Sequence, residues 1–132
     1  MNDSDVTKSL KSHVSYLASD ALEGRGAGTQ GEKEAADYVR DIFRKYDIDL
    51  LSGENGDLFG ISQNGDTLTS RNVLGFVQGY DKKMFDRYIV IGARLDNVGT
   101  NLVEVDGKPV EQVYNGANGN ASGLAMMLEL AR

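Results

Sequence analysis

Two groups of polar residues stand where ligand sites are usual in α/β proteins. Arg94 and Asp96 directly follow an apolar run at residues 88–93, and a polar loop at residues 115–123 leads into an apolar helical pattern at residues 124–132. In open α/β sheets, ligands bind outside the carboxyl ends of strands and against the N-termini of helices. We interpret the apolar run as a strand, and we place the candidate site where the end of this strand meets the start of the helix that follows the polar loop. Position alone leaves the ligand open.

A glycine-rich loop near the N-terminus could bind a phosphate. Residues 26–31 match the pattern G-x-G-x-x-G literally, and a helical pattern follows. A dinucleotide site also needs a strand before the glycines, because they connect strand to helix beneath a pyrophosphate. Residues 5–21 have helical periodicity instead. We therefore favour a flexible loop that enters a helix, with Thr29 and Glu32 as its capping box, and keep the nucleotide site as a distant alternative.

Few other residues could do chemistry. His13 is the only histidine, so one chain cannot build a multi-histidine metal site. It lies beside Val14 at the edge of an apolar helical stripe, and we expect a surface or half-buried helix residue rather than a ligand. Glu54 and Asp57 lack the spacing of a calcium loop and are interpreted as solvated turn residues. The absence of cysteine excludes disulfides, thiolate zinc sites and a thiol nucleophile.

The composition narrows the range of partners. The 132 residues are enough for one domain, residues 1–132, with its own core. The formal net charge of -6 argues against binding to nucleic acid and to anionic membrane surfaces. No apolar run is long enough for a transmembrane helix, so we expect no membrane insertion. Residues 1–5 are acidic and polar and lack the pattern of a signal peptide.

The elements that must position the candidate site follow from hydrophobic periodicity. It predicts three helices, at residues 5–21, at residues 30–46 and from Ser122 onward. The last pattern reaches the final residue without a stop signal, so we expect a chain cut inside a helix. Strands are predicted at residues 71–77 and 87–94, and the continuously apolar second strand should be buried on both faces. A short strand is also expected at residues 58–61, and Asp106 with Gly107 gives a weak hairpin signal.

Three blocks of sequence resemble metallopeptidase family 28, the bacterial di-zinc aminopeptidases related to leucyl aminopeptidase. They are Leu-Ala-Ser-Asp-Ala-Leu-Glu-Gly-Arg-Gly-Ala-Gly-Thr at residues 17–29, Arg-Asn-Val-Leu-Gly with Tyr-Ile-Val-Ile-Gly-Ala at residues 71–75 and 88–93, and Tyr-Asn-Gly-Ala with Asn-Ala-Ser-Gly at residues 114–117 and 120–123. The resemblance implies an α/β fold, a partial αβα sandwich with a mixed, mostly parallel sheet. The chain would correspond to the N-terminal half of a zinc aminopeptidase domain, which hydrolyses N-terminal peptide bonds with zinc-activated water.

The resemblance also assigns the candidate site residue by residue. Arg94 stands where the family has a zinc-binding histidine, and Asp96 keeps the aspartate that orients this histidine. Asn118 replaces the aspartate that bridges the two zinc ions, Gly119 replaces a second aspartate, and Asn120 keeps the asparagine of the family. The remaining family residues are a glutamate base and glutamate, aspartate and histidine ligands. They would lie beyond the last residue of this chain.

The chemistry of these replacements works against zinc. A zinc ligand must offer a lone pair, whereas arginine has five donors, no acceptor and a permanent positive charge. A neutral asparagine is a poor substitute for a bridging carboxylate. We therefore expect no metal and no cofactor in this chain. Arg94 is expected to pair with Asp96, since positions i and i+2 on a strand share one face; the alternative is two independent exposed charges.

Three functions remain open. The first is a non-catalytic, peptidase-like domain. The second is an active zinc aminopeptidase that a longer parent chain or a partner completes, and only then would a peptide be the substrate. The third is a protein-interaction module. Half of such a sheet would expose an edge strand, so we also expect self-association or a completing partner chain. The resemblance implies a secreted or periplasmic location.

Overall fold

Helices form the N-terminal part of the chain. The computed structural model describes residues 3–132, so Met1 and Asn2 of the predicted signal-free N-terminus lie outside the described residues. The first helix, α1, spans Asp3–Leu17, and the second, α2, spans Gln30–Lys45. A 3-10 segment at Asp20–Arg25 lies between them. Both predicted helices are confirmed, although the first ends earlier than expected because the chain turns into the 3-10 segment.

The Thr29 N-cap of the predicted capping box is confirmed, and the carboxylate half of the box lies one residue earlier than expected. Thr29 is the N-cap residue, and its hydroxyl accepts a hydrogen bond from Glu32 N at 3.4 Å. The Glu32 carboxylate reaches back and accepts from Gly28 N at 2.5 Å. Such a cap stabilises a helix by about 1 kcal/mol, because it satisfies N–H groups that have no partner within the helix. It fixes the point at which the glycine loop enters α2.

The strands of residues 3–132 form three antiparallel pairs. The pairs are β1 (Asp49–Leu50) with β4 (Gly75–Phe76), β2 (Asp57–Gln63) with β3 (Asp66–Asn72), and β5 (Gly99–Val105) with β6 (Lys108–Tyr114). Asp106 and Gly107 have φ values of 51° and 73°, as the tight turn of a two-residue hairpin requires. The predicted hairpin is thus confirmed, and the short strand expected at residues 58–61 lies within β2.

The strand predicted at residues 87–94 is not present, and this prediction was wrong. Residues 87–96 lie outside helices and strands, and the strand predicted at residues 71–77 is paired only in parts, within β3 and β4. The architecture is mixed helix and small antiparallel sheets, and neither a parallel sheet nor a sandwich is found within residues 3–132. An apolar run favours burial, but a strand also needs a neighbour for its backbone hydrogen bonds. The described part of the chain supplies none to residues 88–94.

The apolar core lies between the helices and the loops that join them. The third helix, α3, spans Ser122–Leu130 and begins where the sequence predicts. The buried core residues are Leu17, Leu22, Ala35, Val39, Phe43, Ile48, Ala121, Leu124 and Leu128. Because α3 is packed through this core, the loop before it is held against the rest of the chain. Within residues 3–132, no helix is both long enough and apolar enough to cross a membrane.

His13 is buried, which corrects the expectation of a surface or half-buried residue. Only 4% of the residue is exposed. Its Nδ1 lies 2.6 Å from the Tyr38 hydroxyl on α2, and its Nε2 lies 3.5 Å from Glu129 Oε1 on α3 and 3.4 Å from Ser9 Oγ. Burial lowers the pKa of His13 from its ordinary value of 6.5, and the Glu129 carboxylate opposes this shift. The ring thus joins three helices.

Candidate functional site

A buried arginine, Arg25, organises the candidate site. Its guanidinium donates to Leu95 O at 3.0 Å, to Asn115 O at 2.8 Å and to Gly116 O at 3.1 Å, and also to the carbonyl oxygen of Leu17. Only 1% of the residue is exposed. These carbonyl groups belong to the end of α1, to the segment before Asp96 and to the loop before α3. One side chain therefore holds together the two segments that the sequence predicts as the site.

Backbone contacts next to Arg25 fix the same geometry. Asn97 N donates to Arg25 O at 2.9 Å, and Gly26 forms an isolated parallel bridge with Asn97. The Asn97 side-chain amide donates to Tyr114 O at 2.6 Å, which ties the segment after Asp96 to the end of β6. The polar residues after the apolar run are thus positioned by the loop of Arg25, although no sheet contains that run.

Gly116 is required by close packing at the centre of this arrangement. Its φ of 61° lies in the left-handed region, where side chains other than glycine are disfavoured. A Cβ at this position would lie 2.3 Å from Asn97 Nδ2 and 3.0 Å from Arg25 Nη2. The neighbouring Asn115 side chain donates to Asp20 Oδ1 at 2.6 Å. The first half of the loop at residues 115–123 is therefore well fixed.

Arg94 and Asp96 lie together at the surface of the site. Arg94 Nε is 3.8 Å from Asp96 Oδ1, and the two side chains are 61% and 44% exposed. The expected pair is therefore present as a loose, exposed ion pair, of the kind that contributes about 0–1 kcal/mol. Arg94 Nη2 also donates to Gly119 O at 3.2 Å. A guanidinium thus links the residues after the apolar run to the loop before α3.

The second half of the loop forms an irregular turn before α3. Ala117–Ala121 is a single π-helical turn in which Gly119 and Asn120 have non-helical backbone angles. Asn118 is exposed, whereas Asn120 is half-buried and packs closely on Gly123. The structure thus places Gly119 in contact with Arg94 and leaves the Asn118 side chain facing solvent. A bridging role for residue 118 would need it to face Asp96.

The electrostatics of the site do not suit a divalent cation. Burial lowers the pKa of Arg25, while the charge of Asp96 raises it and the charge of Arg94 lowers it. The Asp96 carboxylate is thus close enough to two guanidinium groups to interact with both charges, and these charges oppose the binding of a cation beside it. Within residues 3–132, no three histidine, aspartate or glutamate side chains come close enough to hold a metal ion. The residues of this site do not fit a zinc pair.

The glycine loop at residues 26–31 does not have the setting of a nucleotide site. A 3-10 segment precedes it, where a dinucleotide fingerprint needs a strand. The Glu32 carboxylate already accepts the hydrogen bond from Gly28 N, and this negative charge would repel a phosphate. Gly31 packs so closely on Leu22 that a Cβ would lie 1.9 Å from the Leu22 carbonyl oxygen. The loop is a packing element between α1 and α2.

Sequence reasoning missed Arg25, the residue that organises the site. Arg25 stands between Gly24 and Gly26 inside the first of the three blocks, and a charged residue in a glycine-rich loop is ordinarily exposed. The one available signal was its position between two glycines, which allow the backbone to approach other segments closely. Gly24 shows this contact: a Cβ there would lie 2.3 Å from Gly99 O.

A cleft lies directly beside the site. It has a volume of about 400 Å³ and lies between β3 and the segment that contains Arg94 and Asp96. Its lining is mainly apolar and includes Phe59, Ile61, Val90, Ile91, Leu124 and Met127. Two buried polar residues, Glu32 and Ser70, also line it, but the Ser70 hydroxyl donates to the Glu32 carboxylate. The cleft is thus an apolar gap beside an arginine-rich site.

Comparison with models of known protein families relates part of the chain to a peptidase family. The family model for peptidase family M28 matches residues 72–132, which include Arg94, Asp96 and the whole loop at residues 115–123. The block at residues 17–29 lies outside the matched residues. Neither the curated proteins nor the solved structures contain a match. The match covers part of a domain, and over residues 72–132 this chain is related to peptidase family M28.

Proposed function

We propose that this chain is a peptidase-like domain that does not hydrolyse peptides. The observation that carries the proposal is the position of Arg94, which donates to Gly119 O and lies beside Asp96. By resemblance to the family, this is the place of a zinc-binding histidine. A guanidinium has no lone pair for a metal and brings a positive charge to the site. Through its hydrogen bond to Gly119 O, Arg94 also links the segment at residues 94–96 to the loop at residues 115–123, as a shared metal would.

The second replacement supports the same proposal. Asn118 stands where the family has a carboxylate that bridges two cations, and here its amide is exposed and neutral. Restoring a histidine at position 94 alone would therefore leave the bridging charge absent. We infer that Arg94, Asp96, Asn118, Gly119 and Asn120 form a vestigial site.

We also propose a larger fold to which this chain contributes. By family resemblance, the chain would form the N-terminal half of an αβα sandwich with a mixed, mostly parallel sheet. Residues 88–91 would then be a strand of that sheet, which their apolar character favours. Such a sheet needs neighbouring strands from outside residues 3–132. A longer parent chain, a partner chain or a second copy could provide them.

A protein-interaction module is the second candidate function. Tyr88, Ile89, Val90 and Ile91 are exposed by 71, 92, 90 and 58%. A contiguous exposed apolar segment of this kind marks an interaction surface more often than an isolated apolar residue does. The net charge of -6 keeps nucleic acid an unfavourable partner. We infer self-association or a completing chain, with a peptide as substrate only where the zinc site is restored.

The proposal is tested by measuring zinc and turnover on one sample. The purified chain is dialysed against zinc, its metal content is measured, and its hydrolysis of an aminoacyl anilide is followed. We expect no stoichiometric zinc and no turnover. The double variant Arg94→His with Asn118→Asp serves as the comparison, since it restores one ligand and the bridging carboxylate. An increase of zinc affinity in this variant alone would support the roles assigned to the two residues.

Tight zinc together with turnover in the unmodified chain would refute the proposal. It would mean that residues other than Arg94 and Asn118 build the site, and the results would then favour an active aminopeptidase. The same assays on a longer parent chain distinguish the two candidates. If the parent continues into the missing glutamate, aspartate and histidine ligands and is active, the chain described here is a fragment of an enzyme.

A further inference from the structure

The exposed apolar segment has a backbone that is free to pair. Within residues 3–132, no backbone hydrogen bond joins residues 88–94 to another segment. The apolar side chains of Ile89 and Val90 are almost fully exposed. A β-prone segment with unpaired N–H and C=O groups is a template for another strand. Residues 88–94 can therefore pair with another strand whose side chains fit opposite their own.

We propose that residues 86–94 pair with the same residues of a second copy, antiparallel and centred on Val90. This inference extends the self-association proposed above and names the segment and the register. A two-fold axis through Val90 makes the contact isologous, so each chain offers the same surface and the assembly closes as a dimer. The proposal depends on three features of the segment: its charges, its apolar pairs and its one glycine.

Charge complementarity selects this register. With Val90 on the axis, Asp86 lies opposite the partner's Arg94, and symmetry forms this pair twice. Opposite charges that face each other across antiparallel strands are stabilising, and like charges are destabilising. Asp86 is exposed, and Arg94 is 61% exposed. Both side chains are therefore available.

The side chains between the two charges also match. Ile89 lies opposite the partner's Ile91, twice, on one face of the ribbon. On the other face, Tyr88 lies opposite the partner's Gly92, where an aromatic ring can cover the backbone that a glycine leaves open. Pairs of β-branched residues are among the favourable cross-strand contacts. The alternation of faces along a strand produces these pairs from one register.

Neighbouring registers toward the C-terminus place like charges opposite each other. A shift by one residue brings Arg87 opposite the partner's Arg94. A shift by two residues, centred on Ile91, brings Asp86 opposite the partner's Asp96. In the other direction, centring on Ile89 places Asp86 opposite Gly92 and leaves both charges unpaired. Register in a strand pair is fixed where the side-chain pattern penalises slippage, and here the charges supply that penalty.

The contacts that Arg94 already makes do not compete strongly. Its ion pair with Asp96 spans 3.8 Å at the surface, and its hydrogen bond to Gly119 O spans 3.2 Å. A long arginine side chain at the end of a strand can exchange one exposed carboxylate for another at little cost. The ribbon buries a small area, so we expect a reversible dimer rather than a permanent one.

A charge exchange tests the proposal. Sedimentation equilibrium is measured for the unmodified chain, for Asp86→Arg, for Arg94→Asp and for the double variant that carries both changes. Each single change puts like charges opposite each other twice, so we expect each to raise the dimer dissociation constant roughly 10- to 100-fold. The double variant exchanges the two charges and should regain most of the affinity. Glu104→Arg, an exposed charge on the β5–β6 hairpin, is the matched control and should not change it.

Three results would overturn the proposal. A chain that stays monomeric at high concentration has no such interface. A dimer that all four variants share uses another surface. Protection of the amides of residues 87–94 from hydrogen exchange in a monomeric sample would assign the segment to pairing within the chain. None of these measurements depends on zinc, so a dimer that binds zinc would refute only the proposed function.

Discussion

Removing the Arg25 side chain should strongly lower the free energy of unfolding of this chain. Arg25→Ala deletes the guanidinium that donates to carbonyl groups of Leu17, Leu95, Asn115 and Gly116. A buried hydrogen bond that involves a charged group contributes about 1.5–3 kcal/mol, and acceptors left without a partner add a desolvation cost. The removed charge no longer needs burial, which offsets part of this loss. We therefore expect a loss of about 3–5 kcal/mol in the free energy of unfolding.

Urea unfolding followed by circular dichroism measures this loss. A domain of ordinary stability has about 5–15 kcal/mol in total, so the predicted change would shift the midpoint strongly. Arg25→Lys keeps the charge but loses the planar fork, and we expect an intermediate loss because one ammonium cannot reach all of the carbonyl groups. Arg44→Ala is the matched control, since Arg44 is 52% exposed and pairs with the exposed carboxylates of Asp41 and Glu54.

The result that would refute this reasoning is equally specific. If Arg25→Ala and Arg44→Ala lose the same small free energy, the four carbonyl groups must be satisfied by water, and Arg25 does not hold the site together. Hydrogen exchange gives a second reading of the same variant. The amides of Gly119 and Ala121 donate to Gly116 O, so they should exchange faster when Arg25 is absent.

Two further predictions concern the helices. Burial lowers the pKa of His13, so the unfolded chain binds the proton more readily, and the free energy of unfolding should fall as the pH drops below about 6.5. His13→Gln should flatten this pH dependence. An unchanged slope in the variant would assign the dependence to other groups. Thr29→Ala removes the acceptor for Glu32 N and should lower the free energy of unfolding, measured with urea, by about 1 kcal/mol. Thr29→Ser keeps the hydroxyl and should lower it little. Equal losses in the two variants would show that the cap hydrogen bond is not responsible.

Local patterns in the sequence predict local structure well in this chain. Apolar periodicity predicts α1 and α2, and the Thr29 capping box predicts where α2 begins. The Asp106-Gly107 pair predicts the hairpin turn because few residues tolerate positive φ values in succession. Each of these features depends on residues within a few positions of each other. Local chemistry therefore determines them without knowledge of the remaining fold.

Features that depend on distant partners could not be predicted in the same way. The apolar run at residues 88–93 predicts burial, but whether it becomes a strand depends on a neighbour that a local pattern does not contain. The burial of His13 depends on Tyr38 and Glu129, which lie on two other helices. Arg25 reaches carbonyl groups up to 91 positions away, and its two glycine neighbours indicate close packing but not which carbonyl groups it contacts.

The two arginines of the site differ in what they can do, and this difference connects the proposals. Arg25 is buried and is bound to carbonyl groups from three segments, so its position is fixed and the loop at residues 115–123 depends on it. Arg94 is exposed and holds Asp96 and Gly119 O loosely. The geometry of the site therefore depends more on the contacts of Arg25 than on those of Arg94. In the two proposals Arg94 would disfavour zinc and would pair with the partner's Asp86, and its loose, exposed contacts leave it free for both roles.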